Sequence, residues 1–233
     1  MSDASAPLSG DRPDDDGPAL ARPLEGAVAE PLRAELPGIG IASLELPAPR
    51  ARRSPAGVRE RLDLLSVRFR GADALVLRQR PVPHAYRVAF RHVGLDPDAT
   101  RTPVEAAAVE RLVQGGFRSR GPLDDALTIA LMETGVPLWA LDAETVHGAL
   151  WLRLANGGER LAGEDGAPPM PDGQIVVADS HAPLAPMFGE PAAGVVPARH
   201  TTRLLVYAIR VDGVSTAHVE EALWQCAEVL DAS

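Results

Sequence analysis

Apolar positions recur with helical spacing through the middle of the chain and with strand-like patterns on either side. Residues 38–46 (GIGIASLEL) alternate well enough to predict a strand. Ser54 and Pro55 then read as N-cap and first residue of a helix running through PAGVRERLDLLSVRF. HAYRVAFRHVG predicts a second helix, with Tyr86, Val88, Ala89, Phe90 and Val93 as its apolar face and Gly94 beyond its end. A third has the clearest start: Thr102-Pro103-Val104-Glu105 fits a capping box, and Gly115-Gly116 stops it. The fourth follows RSRG, where Pro122 fixes the first turn, Asp124 and Asp125 complement the positive helix end, and Gly135 terminates it. Strand patterns then take over. GALWLRLA, the turn Asn156-Gly157-Gly158 and GERLAG predict a hairpin, QIVVAD (174–179) and TRLLVYAIRV (202–211) further strands, and Ser215 caps a last helix through Leu230. Helices clustered between strands, without β-α alternation, predict an α+β domain of mixed sheets with packed helices.

Composition sets the boundaries. The chain has 233 residues, 45% of them apolar, enough for one sizeable core. Residues 1–29, with DRPDDDGPA near their centre, are Pro/Gly/Asp-rich and poor in large apolar groups, so they are expected to be a disordered acidic tail ahead of a domain at 30–231. No apolar run approaches the ~18 residues that a membrane span needs, and the N-terminus lacks signal-peptide order, so a cytoplasmic protein is expected. The single cysteine, Cys226, falls on the apolar face of the last helix and reads as a buried thiol.

Charge changes the picture more than composition does. The net charge is −9, yet residues 50–120 carry 15 arginines against 7 acids while the remainder carries 8 against 25. All the basic charge is arginine, whose planar fork suits phosphate, although a genome-wide bias against lysine explains the same choice. If Arg50, Arg52, Arg53, Arg59, Arg61, Arg68 and Arg70 collect on one face, they form an RNA-binding surface; otherwise they pair with the acidic remainder.

The sequence contains no P-loop, no G-x-G-x-x-G after a strand, no H-E-x-x-H and no G-x-S-x-G. His84, His92, His147, His181, His200 and His218 share no metal-ligand spacing, and neither a metal site nor a cofactor is expected. Asp179-Ser180-His181 are sequence neighbours, which is not how catalytic triads are usually built.

The order and spacing of longer stretches are more specific. PLDDALTIALMETGVPLWALDAETVHGALWLRLANGGERLAGEDG, followed by GQIVVADSHAPLAPMFGE, resembles the B3/B4 tRNA-binding (editing) domain of the phenylalanyl-tRNA synthetase beta chain, in a free-standing form. The match is strongest from Tyr86 to Asp179. It rests on Asp125, Met132 to Pro137, Ala140 to Asp142, Arg153 to Glu159, Val177 to Asp179 and Gly189-Glu190. The resemblance implies a domain that binds tRNA or aminoacyl-tRNA, or an amino-acid-like ligand, and that positions water to hydrolyse a misattached aminoacyl ester. It implies a pocket near Asp125, Met132 and Trp139, with Thr128 and Glu190 as candidate catalytic groups. Thr128 falls where the family has asparagine and Trp139 where it has histidine, whereas Glu190 is kept. Trp139 is therefore either an aromatic pocket wall or a core residue, Glu190 a functional or a solvated loop acid, and the domain either an editing hydrolase or a binding module that has lost the reaction.

Overall fold

The computed structural model describes residues 22–163, 166 and 168–233. Its elements are β1 (Leu24–Glu25), β2 (Ala27–Val28), α1 (Glu30–Glu35), β3 (Gly40–Pro47), α2 (Ala56–Arg68), α3 (Gly71–Val76), α4 (Pro81–His92), α5 (Pro103–Gln114), α6 (Pro122–Thr134), β4 (Leu138–Asp142), β5 (Trp151–Leu154), β6 (Ile175–Ala178), β7 (Pro183–Pro186), β8 (Arg203–Arg210) and α7 (Thr216–Asp231). They form the expected α+β architecture. One four-stranded sheet has the order β1-β3-β8-β4 and is antiparallel throughout; the other has the order β2-β5-β6-β7, with β2 and β5 parallel.

β3 and β8 form the longest ladder, from Gly40 opposite Arg210 to Pro47 opposite Arg203. Most residues of both strands are buried instead of strictly alternating, as in strands covered on both faces. α7 packs on α6, β3 and β8, and Cys226 lies fully buried in this layer, where burial pushes its thiol up to about 12. The tyrosine of α4 ties the helical layer to the sheet, Tyr86 donating from its hydroxyl to the Ile209 carbonyl at 2.7 Å.

Order begins upstream of the expected boundary. β1 and β2 lie within residues 22–29, each in a different sheet, and only Gly26 separates them. A Cβ there would sit 2.3 Å from the Leu150 carbonyl oxygen, so glycine is what lets the chain step between the sheets. These strands were illegible because each is two residues long, too short to carry a period. The tail expectation for residues 1–21 lies outside the described residues.

Two other expectations change. The hairpin partner of β5 is β6, not the segment 158–163. Glu159 turns inward to accept two hydrogen bonds from the buried Arg153, at 2.7 and 2.9 Å, and one from the Asn156 amide at 2.7 Å, so its residue holds the turn closed and begins no return strand. Pro55, not Ser54, occupies the N-cap of α2; the Ser54 hydroxyl donates instead to Asp125 at 2.6 Å and pins the start of α2 to α6. No helix among the described residues is long and apolar enough to cross a membrane.

Candidate functional site

α6 runs beside an open cleft of about 700 Å³. Leu123, Asp124, Leu127, Thr128 and Leu131 line it, the i, i+3, i+4 set of one helix face. The next face round, with Asp125, Ile129 and Met132, is buried against the core. The pocket role expected for Asp125 and Met132 is thereby corrected: one step of about 100° along the helix takes both away from the cleft. Asp125 is a structural acceptor, taking hydrogen bonds from the Ser54 and Ser119 hydroxyls and from the Arg120 amide at 2.8 Å.

β4 supplies the opposite wall through Leu138, Trp139 and Ala140. Trp139 stands directly across the sheet from Tyr207 on β8, and their rings stack at 5.6 Å with an interplanar angle of 18°. Its indole is both packed and cleft-lining, at 8% exposure. The phenol beneath it is titratable only at unusually high pH, because burial, and behind it the charge of Glu190, pushes the Tyr207 hydroxyl upward.

The third wall is the turn after β7. The Gly189 amide donates to the Pro186 carbonyl at 2.9 Å, and Phe188, the second of the two residues between them, has φ +62°. A phenylalanine in the left-handed region costs on the order of 1 kcal/mol and persists only where its surroundings hold it. Here the ring stacks on Phe90 of α4 at 4.7 Å and meets Tyr86 edge-on at 6.1 Å. Anchored in that way, the turn carries Gly189 and the exposed Glu190 to the cleft rim.

Thr128, Trp139 and Glu190, drawn from a helix, a strand and a turn, therefore line one cleft. Sequence reasoning missed the cations that share it. Arg101, on the α4–α5 connection, is exposed and forms no ion pair among the described residues; Arg120 reaches Glu110 at 3.3 Å. A second groove of about 390 Å³ adjoins the first, sharing Leu123, Asp124 and Pro197 with it, and is lined by Arg50, Arg52 and Arg199.

The seven arginines do not form one face. Arg59 and Arg61 lie about 200° apart around α2. Arg61 is engaged by Glu133, at 3.1 Å through Nε, and by Glu228 at 3.8 Å, and the Glu133 hydrogen bond raises its pKa further. Arg53, Arg59, Arg68 and Arg70 are exposed but line no groove shared with Arg50 and Arg52. The scattering expected of the histidines also fails at one place, because His147 and His181 meet across Asp179.

The fold and this cleft define an α+β domain with an open cleft bordered by arginine. The B3/4 domain family model matches residues 85–223, a range that contains every residue lining the cleft, and the chain belongs to that family. Similarity extends to the phenylalanine–tRNA ligase beta subunit of Streptomyces avermitilis, 29% identical over 186 residues covering 76% of this chain and 19% of the relative. The same subunit of Xanthomonas campestris pv. campestris (strain 8004) is 38% identical over 93 residues, 40% of this chain and 11% of the relative, and that of Pasteurella multocida 37% identical over 89 residues, 37% and 11%. The chain thus spans less than a fifth of the length of these relatives.

Proposed function

We propose that the cleft receives the aminoacyl group of a charged tRNA and that the domain hydrolyses the ester of a misattached amino acid. What carries the reading is the convergence of Thr128, Trp139 and Glu190 on one cleft that is bordered by arginine and belongs to a domain related to a tRNA ligase subunit. An aminoacyl ester is already activated, so placing a water molecule supplies much of the rate. Glu190 accepts the proton of that water as its oxygen bonds to the ester carbonyl carbon; the bond to the ribose oxygen then breaks, the proton passes to that oxygen, and the amino acid leaves. Thr128 offers a hydroxyl to orient the water or the carbonyl. The apolar lining from Leu127, Leu131, Leu138, Trp139 and Phe188 favours an uncharged aliphatic or aromatic side chain.

Deacylation across a panel of charged tRNAs tests this. Glu190→Gln is expected to slow hydrolysis by about 10²–10⁴-fold, the usual contribution of a general base, while leaving tRNA affinity close to that of the parent. The mostly apolar lining also favours a second reading, a binding module without turnover. Hydrolysis no faster than the uncatalysed control, with tRNA still bound, selects it.

The groove of Arg50, Arg52 and Arg199 gives the tRNA 3′ end a path into the cleft. Each phosphate neutralised releases condensed counterions, so log K falls with log salt by about 0.7 per contact on a single strand. Replacing both Arg50 and Arg52 by alanine is expected to flatten that slope by about 1.4 units in anisotropy titrations, whereas Arg61→Ala, whose charge is already matched, leaves it alone. An unchanged slope in the double variant removes the groove from the tRNA path.

A further inference from the structure

We propose that His147, His181 and Asp179 bind a divalent transition-metal ion of the zinc class, at a site separate from the aminoacyl cleft. One nitrogen from each imidazole and one carboxylate oxygen already lie within 4.8 Å of one another. His147 Nδ1 lies 3.4 Å from Asp179 Oδ2. Two ligands on a tetrahedral ion with bonds of about 2.0–2.1 Å stand about 3.4 Å apart, so that edge has the required length without any movement. Two imidazoles and a carboxylate are a ligand set suited to zinc, cobalt, nickel or copper and poorly suited to magnesium or calcium, which take oxygen alone.

The carboxylate is fixed and the imidazoles can adjust. Asp179 is 2% exposed and accepts from the amides of His181 at 2.7 Å, His147 at 2.8 Å and Ala182 at 2.9 Å, while Trp151 Nε1 holds its carbonyl at 2.8 Å. His147 has 58% of its side chain exposed, and His181 is exposed as well, so rotation of the rings about their side-chain bonds closes the remaining gap. Ser180 sets the tautomer. Its hydroxyl donates to the His147 carbonyl at 2.7 Å, which leaves its oxygen to accept from His181 Nδ1 at 3.0 Å and leaves the lone pair of that ring on Nε2.

A simpler role for Asp179, folding its loop through three amide hydrogen bonds, makes no use of the two imidazoles. The two rings are 4.3 Å apart. An ion held by the two imidazoles and the carboxylate leaves a coordination position toward solvent. The site does not depend on the hydrolase reading: Gln174, which lines the cleft, and Asp179 flank opposite ends of β6.

Calorimetric titration of the tag-free full chain with zinc chloride is expected to show one ion per chain. His147→Ala and His181→Ala each remove a ligand from an exposed position; both are expected to keep the parental melting temperature and to weaken binding by well over tenfold, with Ser180→Ala, outside the ligand set, near about tenfold. No binding by the parent chain, or binding that survives both histidine substitutions, overturns the proposal. Cobalt spectroscopy of the unaltered chain gives a reading independent of any variant: intense visible ligand-field bands are expected, and the pale spectrum of aquated cobalt overturns the assignment.

Discussion

Glu105→Ala is expected to destabilise the domain by about 3–5 kcal/mol, the usual consequence of removing one partner from a buried ion pair. Glu105 is 5% exposed and Arg87 7%. One carboxylate oxygen accepts from Arg87 Nη1 at 2.7 Å and pairs with Arg78 Nε at 3.0 Å; the other accepts from the Thr102 amide at 3.2 Å and hydroxyl at 2.8 Å. Alanine therefore leaves a buried guanidinium held by the exposed Asp98 at 2.7 Å and by a long 3.5 Å hydrogen bond to the Pro97 carbonyl, and strips the first turn of α5 of its acceptor. A domain of this size loses about 2–4 °C of melting temperature per kcal/mol, so a fall of roughly 6–20 °C should be seen by calorimetry. Glu105→Gln keeps an acceptor for Thr102 and is expected to lose less. A fall under about 2 °C for the alanine variant would mean that Asp98 and the Pro97 carbonyl satisfy Arg87 without Glu105. The effect reaches the site because Thr100, Arg101, Pro103 and Ala106, around the same cap, line the cleft.

That cap was readable in the sequence, and its legibility marks a general division. α5, α6 and α7 announce their ends through local chemistry, by Pro103 and Pro122 in the first turns, Ser215 accepting from the His218 amide, and left-handed Gly115 and Gly135. β3 and β8 are long enough for their apolar patterns to register. β4 and β7 escaped. β4 is buried at all five positions and so lacks an alternating signal, and β7 begins and ends in proline, a residue that normally argues against a strand and is tolerated here at the sheet edge. The hairpin error has the same origin, since Asn156-Gly157-Gly158 specifies a turn but not the strand on its far side.

The site divides differently. Spacing along α6 already separates the face of Thr128 from that of Asp125 and Met132, so their exclusion from the cleft was available from helical geometry. Nothing local indicates Phe188, because the strain at a positive φ is repaid by Phe90 on a distant helix. The same holds for His147 and His181, which β5 and β6 bring together only by pairing Trp151 with Ala178. The basic segment of residues 50–120 was visible as charge, yet its arginines are sorted by the fold, with Arg87 buried, Arg61 neutralised and Arg50 and Arg52 left beside the cleft.

Trp139 tests how one residue serves core and cleft together. Trp139→Ala removes a ring stacked on Tyr207 and is expected to cost about 3–5 kcal/mol, as large-to-small changes of buried aromatics do. It also widens the cleft on the side facing α6, so binding of an aromatic amino acid amide should weaken in the protein that remains folded. Trp139→His separates the two contributions. Imidazole can still lie over the Tyr207 ring, which limits the stability loss, while it presents a hydrogen-bonding edge where indole offers only one N–H donor. On the proposed function, the parent domain should prefer a phenylalanine-like side chain to its hydroxylated counterpart, because a buried hydroxyl without a partner costs about 1–3 kcal/mol, and the histidine variant should narrow or reverse that preference. Melting curves and competition binding with the two amino acid amides read both effects. An unchanged melting temperature for Trp139→Ala would contradict the packing role, and an unchanged preference in both variants would place the discriminating contact on another wall of the cleft.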